Sequence, residues 1–257
     1  MLNMIRADFY RLSKTRGFWI TQIVIVVFLL IAISSGSIGG ITIGPQDGVN
    51  QIESMYSIKW DGVTAVSAVQ YMAANTFLYF ILPLLVFVIG NDFSKETYKN
   101  ILTVGVSRNK YFLSKITSFI IVLTCQLTII YMISFITGSV LNGTGDVTVK
   151  FFTDTLKIMG VQILFLVAIT IMSSLVLFMT KSNIISVIST LIIPMVIIML
   201  HLFYPDVKFF EMIDFQTGFQ QAMSLDFDLL KNVIIGAIGS IILGVVLIPQ
   251  IFKHQEL

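Results

Sequence analysis

IMGVQILFLVAITIMSSLVLFMT, residues 158–180, contains no Asp, Glu, Lys or Arg. A helix rises about 1.5 Å per residue, so about 20 apolar residues cross a hydrocarbon core and satisfy their own backbone polar groups on the way. Five further stretches share the absence of charge: 17–46, 62–91, 116–145, 182–205 and 232–252. Six uncharged runs separated by short charged patches predict six membrane-spanning helices. The composition agrees, because 56% of the 257 residues are hydrophobic and 12% are charged, against roughly 25% charged in an average soluble domain. So much apolar surface has to face lipid.

The first run is read as a retained span. Its apolar core, Phe18 to Ile33, is longer than the roughly 7–15 residues of a cleaved leader. Orientation follows from the placement of Lys and Arg, which stay on the cytoplasmic side. One side holds eleven basic residues, in 1–16, 92–115, at Lys181 and at Lys253; the other holds five, Lys59, Lys150, Lys157, Lys208 and Lys231. Only four acids, Asp8, Asp92, Glu96 and Glu256, share the basic side, and ten lie opposite. Both termini are therefore expected in the cytoplasm of a multi-pass plasma-membrane protein. The formal net charge is only +2, which gives no reason to expect a nucleic-acid partner.

Ahead of the first span, Leu2, Ile5, Phe9 and Leu12 recur at helical spacing, with Arg6, Arg11 and Lys14 elsewhere around the wheel. This predicts a helix lying at the inner membrane interface. Pro83, Pro194 and Pro249 fall inside or at the ends of spans, where a missing donor can kink a helix. Gln22, Asn75, Gln126, Gln162 and His201 are the polar members of the spans and are expected to join helices by hydrogen bonds. No carboxylate occupies the middle of a span, which argues against a carrier driven by protons or sodium. Neither G-x-x-x-x-G-K-[ST], H-E-x-x-H nor G-x-S-x-G occurs, so no enzymatic activity, and no ATP hydrolysis unaided, is expected of the chain. Cys125 is the single cysteine; it excludes an intrachain disulfide and a multi-cysteine metal site.

The segment from Asn91 to Lys115, between the second and third spans, reads as two short helices joined by a turn. Asp92 or Ser94 is expected to cap the first, Gly105 to end it and Ser107 to cap the second. Thr97 and Tyr98 precede Ile101 and Leu102 by four residues, so each pair shares a face and makes a projecting apolar surface. On spacing alone this is either a docking surface or a solvated loop that only fixes topology. The acidic stretch from Tyr204 to Lys231 is open to two readings as well: a solvated outer loop, or short helices that dip back toward the membrane.

The order Phe93, Glu96, Ile101-Leu102, Ser107-Arg108, Tyr111-Phe112 and Lys115, together with Ile5-Arg-Ala-Asp-Phe-Tyr-Arg-Leu12 before a Gly-Phe-Trp span, resembles the membrane permeases of the type 2 ATP-binding-cassette exporter family. Within that family it resembles the small six-span exporters of peptides, bacteriocins and antibiotics in Gram-positive bacteria. Many relatives carry Gly-Thr after the Glu, where this chain has Lys99-Asn100-Ile101. The resemblance implies an all-α integral membrane protein with one permease domain over 1–257: an elbow helix at 1–16, spans at about 18–38, 70–90, 116–138, 158–180, 183–203 and 232–252, a coupling loop at 92–113 and an outer loop at 205–231. It implies that Phe93, Glu96, Tyr98, Ile101, Leu102 and Arg108 contact or orient an ATPase, with Tyr98, Ile101 and Leu102 as the docking face. It implies no cofactor in this chain, ATP and Mg being bound by a dimer of partner ATPase subunits, and a second permease subunit, identical or paralogous. Asp206, Glu211, Asp214, Asp226 and Asp228 would form an outward rim. The cargo implied is an amphipathic peptide; exporters of a drug, a polysaccharide or sodium share the fold, and a secondary carrier or membrane scaffold is the competing class.

Overall fold

The computed structural model describes residues 1–35 and 60–253, without the side chains of 73–81 and 253. Lys59, the expected end of the first span at 36–38 and the tail residues His254 and Glu256 lie outside the described residues, as does the side chain of Asn75. The described chain is helical with no strand: α1 Leu2–Lys14, α2 Arg16–Ser35, α3 Gly62–Leu85, α4 Asn91–Ser94, α5 Thr97–Thr103, α6 Arg108–Asn142, α7 Val149–Thr180, α8 Asn183–Phe203, α9 Lys208–Ile213, α10 Phe215–Gln221 and α11 Phe227–Lys253.

Five of these, α2, α6, α7, α8 and α11, are long and apolar enough to cross a membrane. Helix α3, 24 residues long, occupies the position of the expected second span. Helix α6 has 35 residues and is about 52 Å long, so it extends well beyond a hydrocarbon core of roughly 30 Å.

Side-chain caps decide where the long helices begin. Asp61 accepts from the Thr64 amide at 2.8 Å, Thr148 from Phe151 at 3.2 Å, and Ser107 and Ser182 accept from Lys110 and Ile185 at 3.4 Å. Each satisfies an amide that the first helical turn leaves without a partner. Gly105, at φ 94°, takes the left-handed conformation after α5.

Helix α11 lies along α7, α3 along α6, and α8 against α7; α2 and α1 pack on α6. The core runs through Val69, Phe119, Leu123, Phe165, Leu166 and Ile248. Helix α3 passes into a π-helical turn, Val86–Gly90, one turn after Pro83. The wider turn re-phases the chain immediately before Asp92 and Phe93. Gly90 lets α8 come close there: a Cβ would stand 2.5 Å from Asn183 Oδ1 at the start of α8, and the Asn183 side chain would have to shift.

The stretch after α8 folds into two short helices. Phe215 and Phe219 of α10 are buried, with ring centroids 5.9 and 5.6 Å from Phe165, halfway along α7. A Cβ on Gly218 would come within 2.9 Å of the same ring, so α10 reaches this depth only because the residue is glycine. The expected acidic rim is corrected in one member: Asp214 is 2% exposed and turns inward. It caps α10 through the Thr217 amide at 3.0 Å and lies 2.8 Å from His201 Nδ1. Asp206, Asp226 and Asp228 stay exposed, and Glu211 accepts from Asn232 at 2.9 Å.

Candidate functional site

Asp8 and Arg11 stand three residues apart on α1 and therefore share one face. That face packs on α6, where Tyr111, Lys115 and Ser118 recur at spacings of four and three. Asp92 enters the same space from α4, just beyond the π-helical turn. The three elements meet in one ion cluster. Lys115 Nζ lies 2.5 Å from Asp8 Oδ1 and 2.7 Å from Asp92 Oδ2. Arg11 places Nη1 2.5 Å from Asp92 Oδ1 and Nη2 2.8 Å from Asp8 Oδ1. Tyr111 donates to Asp92 Oδ2 at 2.9 Å, Thr97 to Asp92 Oδ1 at 3.1 Å and Ser118 to Asp8 Oδ2 at 3.1 Å.

Two cations and two carboxylates leave the cluster with no net formal charge, and three of the four are sequestered: Asp8 is 4% exposed, Asp92 1% and Lys115 2%. Burial alone drives the Asp92 carboxyl upward, but the charge of Lys115 and the hydrogen bonds from Arg11 and Lys115 outweigh it and hold its pKa below the usual carboxylate range. The Arg11 guanidinium loses hydration on burial, yet Asp92 holds it more firmly protonated than usual. Removing one member of such a set costs roughly 3–5 kcal/mol because it strands a buried charge. The cluster therefore fastens α1, α4 at the end of α3 and the start of α6 into one unit.

An aromatic cluster fastens the same loop to the far end of the chain. Phe93 stacks on Tyr98 at 4.9 Å and meets Phe178 edge-on at 4.7 Å. Phe252 of α11 lies 5.2 Å from Phe178 and 5.8 Å from Tyr98. Arg108 donates to the Phe252 carbonyl and sits 5.3 Å over its ring, a cation on an aromatic face.

The six residues expected to serve a partner thus divide. Phe93, Tyr98 and Arg108 are joined around Phe252, with Tyr98 4% exposed. Tyr98 does not project as a docking residue; its ring has better partners within the chain than in water. Ile101 and Leu102 are half-buried against the same core. Glu96 is exposed, takes the left-handed conformation at φ 51° and pairs with Lys99 at 3.1 Å. The outward surface of the loop is formed by Glu96, Asn100, Thr103 and Val104, with Val104 85% exposed. The expected cap is corrected too: neither Asp92 nor Ser94 caps a helix here, because Arg11, Lys115, Tyr111 and Thr97 claim the Asp92 oxygens and Asn183 donates to Ser94.

Helix α1 also turns differently from its apolar periodicity. Asp8 and Leu12 face inward, while Leu2 and Phe9 are exposed. Charge counting passed over Asp8, Arg11, Asp92 and Lys115 as a set. The available signal was that Asp8 and Asp92 are acids on the basic side, one of them in a helix otherwise shaped for an interface. Of the polar span residues, Gln162 accepts from Tyr131 and donates to the Gln70 carbonyl at 3.2 Å, joining α3, α6 and α7.

Every member of the ion cluster lies within the part of the chain matched by a known family. The family described as ABC-2 family transporter protein matches residues 4–197 of the 257. A search of the curated proteins returns no match. With that match running from α1 through most of α8, and five helices apolar and long enough to cross a bilayer, the chain belongs to the ABC-2 family of transporter proteins and is a multi-pass membrane protein.

Proposed function

We propose that the chain is the six-span membrane subunit of an ATP-driven exporter, with both termini in the cytoplasm, and that the loop at 92–113 transmits motion from a separate ATPase. ATP and Mg are bound by a dimer of that ATPase; the pathway is completed by a second permease, identical or paralogous. The carrying observation is the double fastening of the loop: ions tie it to α1 and α6, aromatic rings tie it to α7 and α11. A short segment held this way cannot be displaced alone, so a push on it moves the membrane helices. Packed cores pass such displacements on because they resist deformation.

The contact surface is the exposed tip, with Val104 at its apolar centre and Glu96 and Lys99 beside it. Ile101 and Leu102 brace the tip from within, while Phe93, Tyr98 and Arg108 carry the force to Phe252. The cargo is an amphipathic peptide or similar apolar molecule, as favoured by the absence of carboxylates from the middles of the spans. Val104→Asp tests the docking role: the variant should insert and melt like the wild type but lose ATPase co-purification and substrate-stimulated hydrolysis in vesicles. Normal association and transport by Val104→Asp would leave the loop as a topological anchor only.

A further inference from the structure

Asp214 differs from the other buried acids, Asp8 and Asp92, in what balances its charge. Those two face Arg11 and Lys115, and guanidinium and ammonium groups ordinarily stay charged at neutral pH. Asp214, 2% exposed, has no Lys or Arg within ion-pair distance among the described residues; its partner is His201, with Nδ1 at 2.8 Å. Thr217 donates to Oδ1 through its amide at 3.0 Å and to Oδ2 through its hydroxyl at 2.6 Å. A cavity of about 10 Å³ beside the carboxylate, walled by Ile169, Pro194, Ile197 and Phe215, has room for about one water. The charge of Asp214 is thus met by neutral donors and a single imidazole.

The same carboxylate positions a helix. It caps α10 and ties the start of that helix to α8, while Phe215 and Phe219 rest on Phe165 of α7. The other charges on the elements packed around His201 are engaged or turned out. Helix α10, the rest of α8, and residues 62–85 and 158–180 of α3 and α7 carry no Asp, Glu, Lys or Arg. Above that stretch of α7, Lys157 pairs with Asp154 at 3.7 Å. On α9, Glu211 accepts from Asn232 and Lys208 is exposed. Asp206 and the phenols of Tyr71 and Tyr204 are exposed as well. Asp92 belongs to the ion cluster at the opposite end of α8. His201 is left as the group that decides the net charge around Asp214.

We propose that His201 and Asp214 form a protonation-dependent latch on the inward-folded helix α10. An imidazole changes charge between about pH 5 and 8. With His201 protonated, the pair has no net charge and an ion pair holds the start of α10 on α8. With His201 neutral, its Nδ1–H still donates, but the buried carboxylate keeps an unbalanced charge, which is costly away from water. Helix α10 then loosens and carries Asp214 toward solvent. Acid closes the latch and alkali opens it, whereas a merely structural contact would hold α10 equally at both. The latch needs no ATPase and goes beyond the exporter reading; that reading enters only in making the sensed pH the one outside the cell.

The test places a nitroxide at Gln220→Cys, an exposed position of α10, in a Cys125→Ala background in nanodiscs without nucleotide. A control nitroxide goes at Val140→Cys on α6, which is 79% exposed. Between about pH 5.5 and about pH 8, across the imidazole range, the ratio of mobile to immobile label at position 220 should rise roughly five- to tenfold, as expected when a hydrogen bond between two charged groups loses one charge. The control should not change. His201→Gln should leave the α10 label mobile at both pH values, and His201→Lys, whose charge persists, should keep it immobile at both. Asp214→Asn, which keeps an oxygen for the α10 cap, should remove the response and so separates loss of charge from loss of fold. An α10 label that ignores pH in otherwise wild-type protein, one that responds with the opposite sign, or a response that survives in His201→Gln or Asp214→Asn overturns the latch. In sealed vesicles of one orientation, acid on the α10 side alone should immobilise the label. Immobilisation by acid on the other face alone removes the external assignment and leaves the latch standing; a working latch without ATP-driven transport removes only the exporter reading.

Discussion

Replacing Lys115 with Met keeps the length and apolar stem of the side chain and removes its charge. Asp8 and Asp92, 4% and 1% exposed, then share Arg11 as their only cation within ion-pair distance among the described residues, at 2.8 and 2.5 Å. Stranding one buried carboxylate costs roughly 3–5 kcal/mol, a large part of the roughly 5–15 kcal/mol that holds a typical protein folded. The cost is lower where a proton can replace the lost cation, so it has a pH signature. In the wild type, Asp92 is held below its ordinary pKa; its contribution is present above the unfolded carboxylate value and is lost as pH falls through the lower folded value. In Lys115→Met one carboxylate becomes easier to protonate in the folded state than in the unfolded one, so the variant should regain stability as pH falls from 8 toward 5.

The second variant in the cycle, Asp8→Asn with Lys115→Met, leaves Arg11 facing Asp92 alone and should recover roughly 1–3 kcal/mol relative to Lys115→Met. The assay is denaturant unfolding in detergent micelles at pH 8 and pH 5, read through tryptophan emission. A loss below about 1 kcal/mol for Lys115→Met, or additive effects of the two substitutions, would refute the view that these groups act as one buried unit.

Topology is checked in a Cys125→Ala background: cysteines at Ser13 and Asn109 should resist an impermeant thiol reagent in intact cells, and one at Ser224 should react. Labelling of the Asn109 position from outside would reverse the orientation and remove the loop from the ATPase side. Phe252→Ala empties the centre of the aromatic cluster and should cost about 3–5 kcal/mol; Arg108→Gln, which takes the cation from the ring face, should cost about 0.5–2 kcal/mol. Both should lower transport per ATP hydrolysed in vesicles more than they lower ATPase association, and unchanged coupling in Phe252→Ala would count against force transfer through that residue. Cells expressing the subunit with its ATPase should gain growth protection against amphipathic peptides; protection against sodium alone would replace the cargo reading.

Much of the fold was legible in the sequence because a bilayer imposes a one-dimensional rule. Residues 158–180 have to form a helix once they lie in hydrocarbon, where no water pairs the backbone and a single segment satisfies its polar groups only in that way. Ser107 was a local signal of the same kind, able to cap the turn that follows it. The fate of a charge among apolar neighbours was not local. Asp8 reads as one more charge on an interfacial helix, Asp92 as a cap and Lys115 as one of the cytoplasmic basic residues; only the packing of α1 and α4 on α6 brings them within hydrogen-bond distance.

The same holds for Tyr98, which shares a helical face with Leu102 and therefore reads as a projecting surface residue. Nothing in spacing reveals that Phe252, more than 150 positions later, folds back to cover it. Periodicity fixes which residues share a face of a helix, and hydropathy fixes which helices enter lipid. Which face meets which is settled by the complementarity of whole surfaces, and here that complementarity turned Asp92, Tyr98 and Asp214 inward where their own neighbourhoods in the sequence pointed outward.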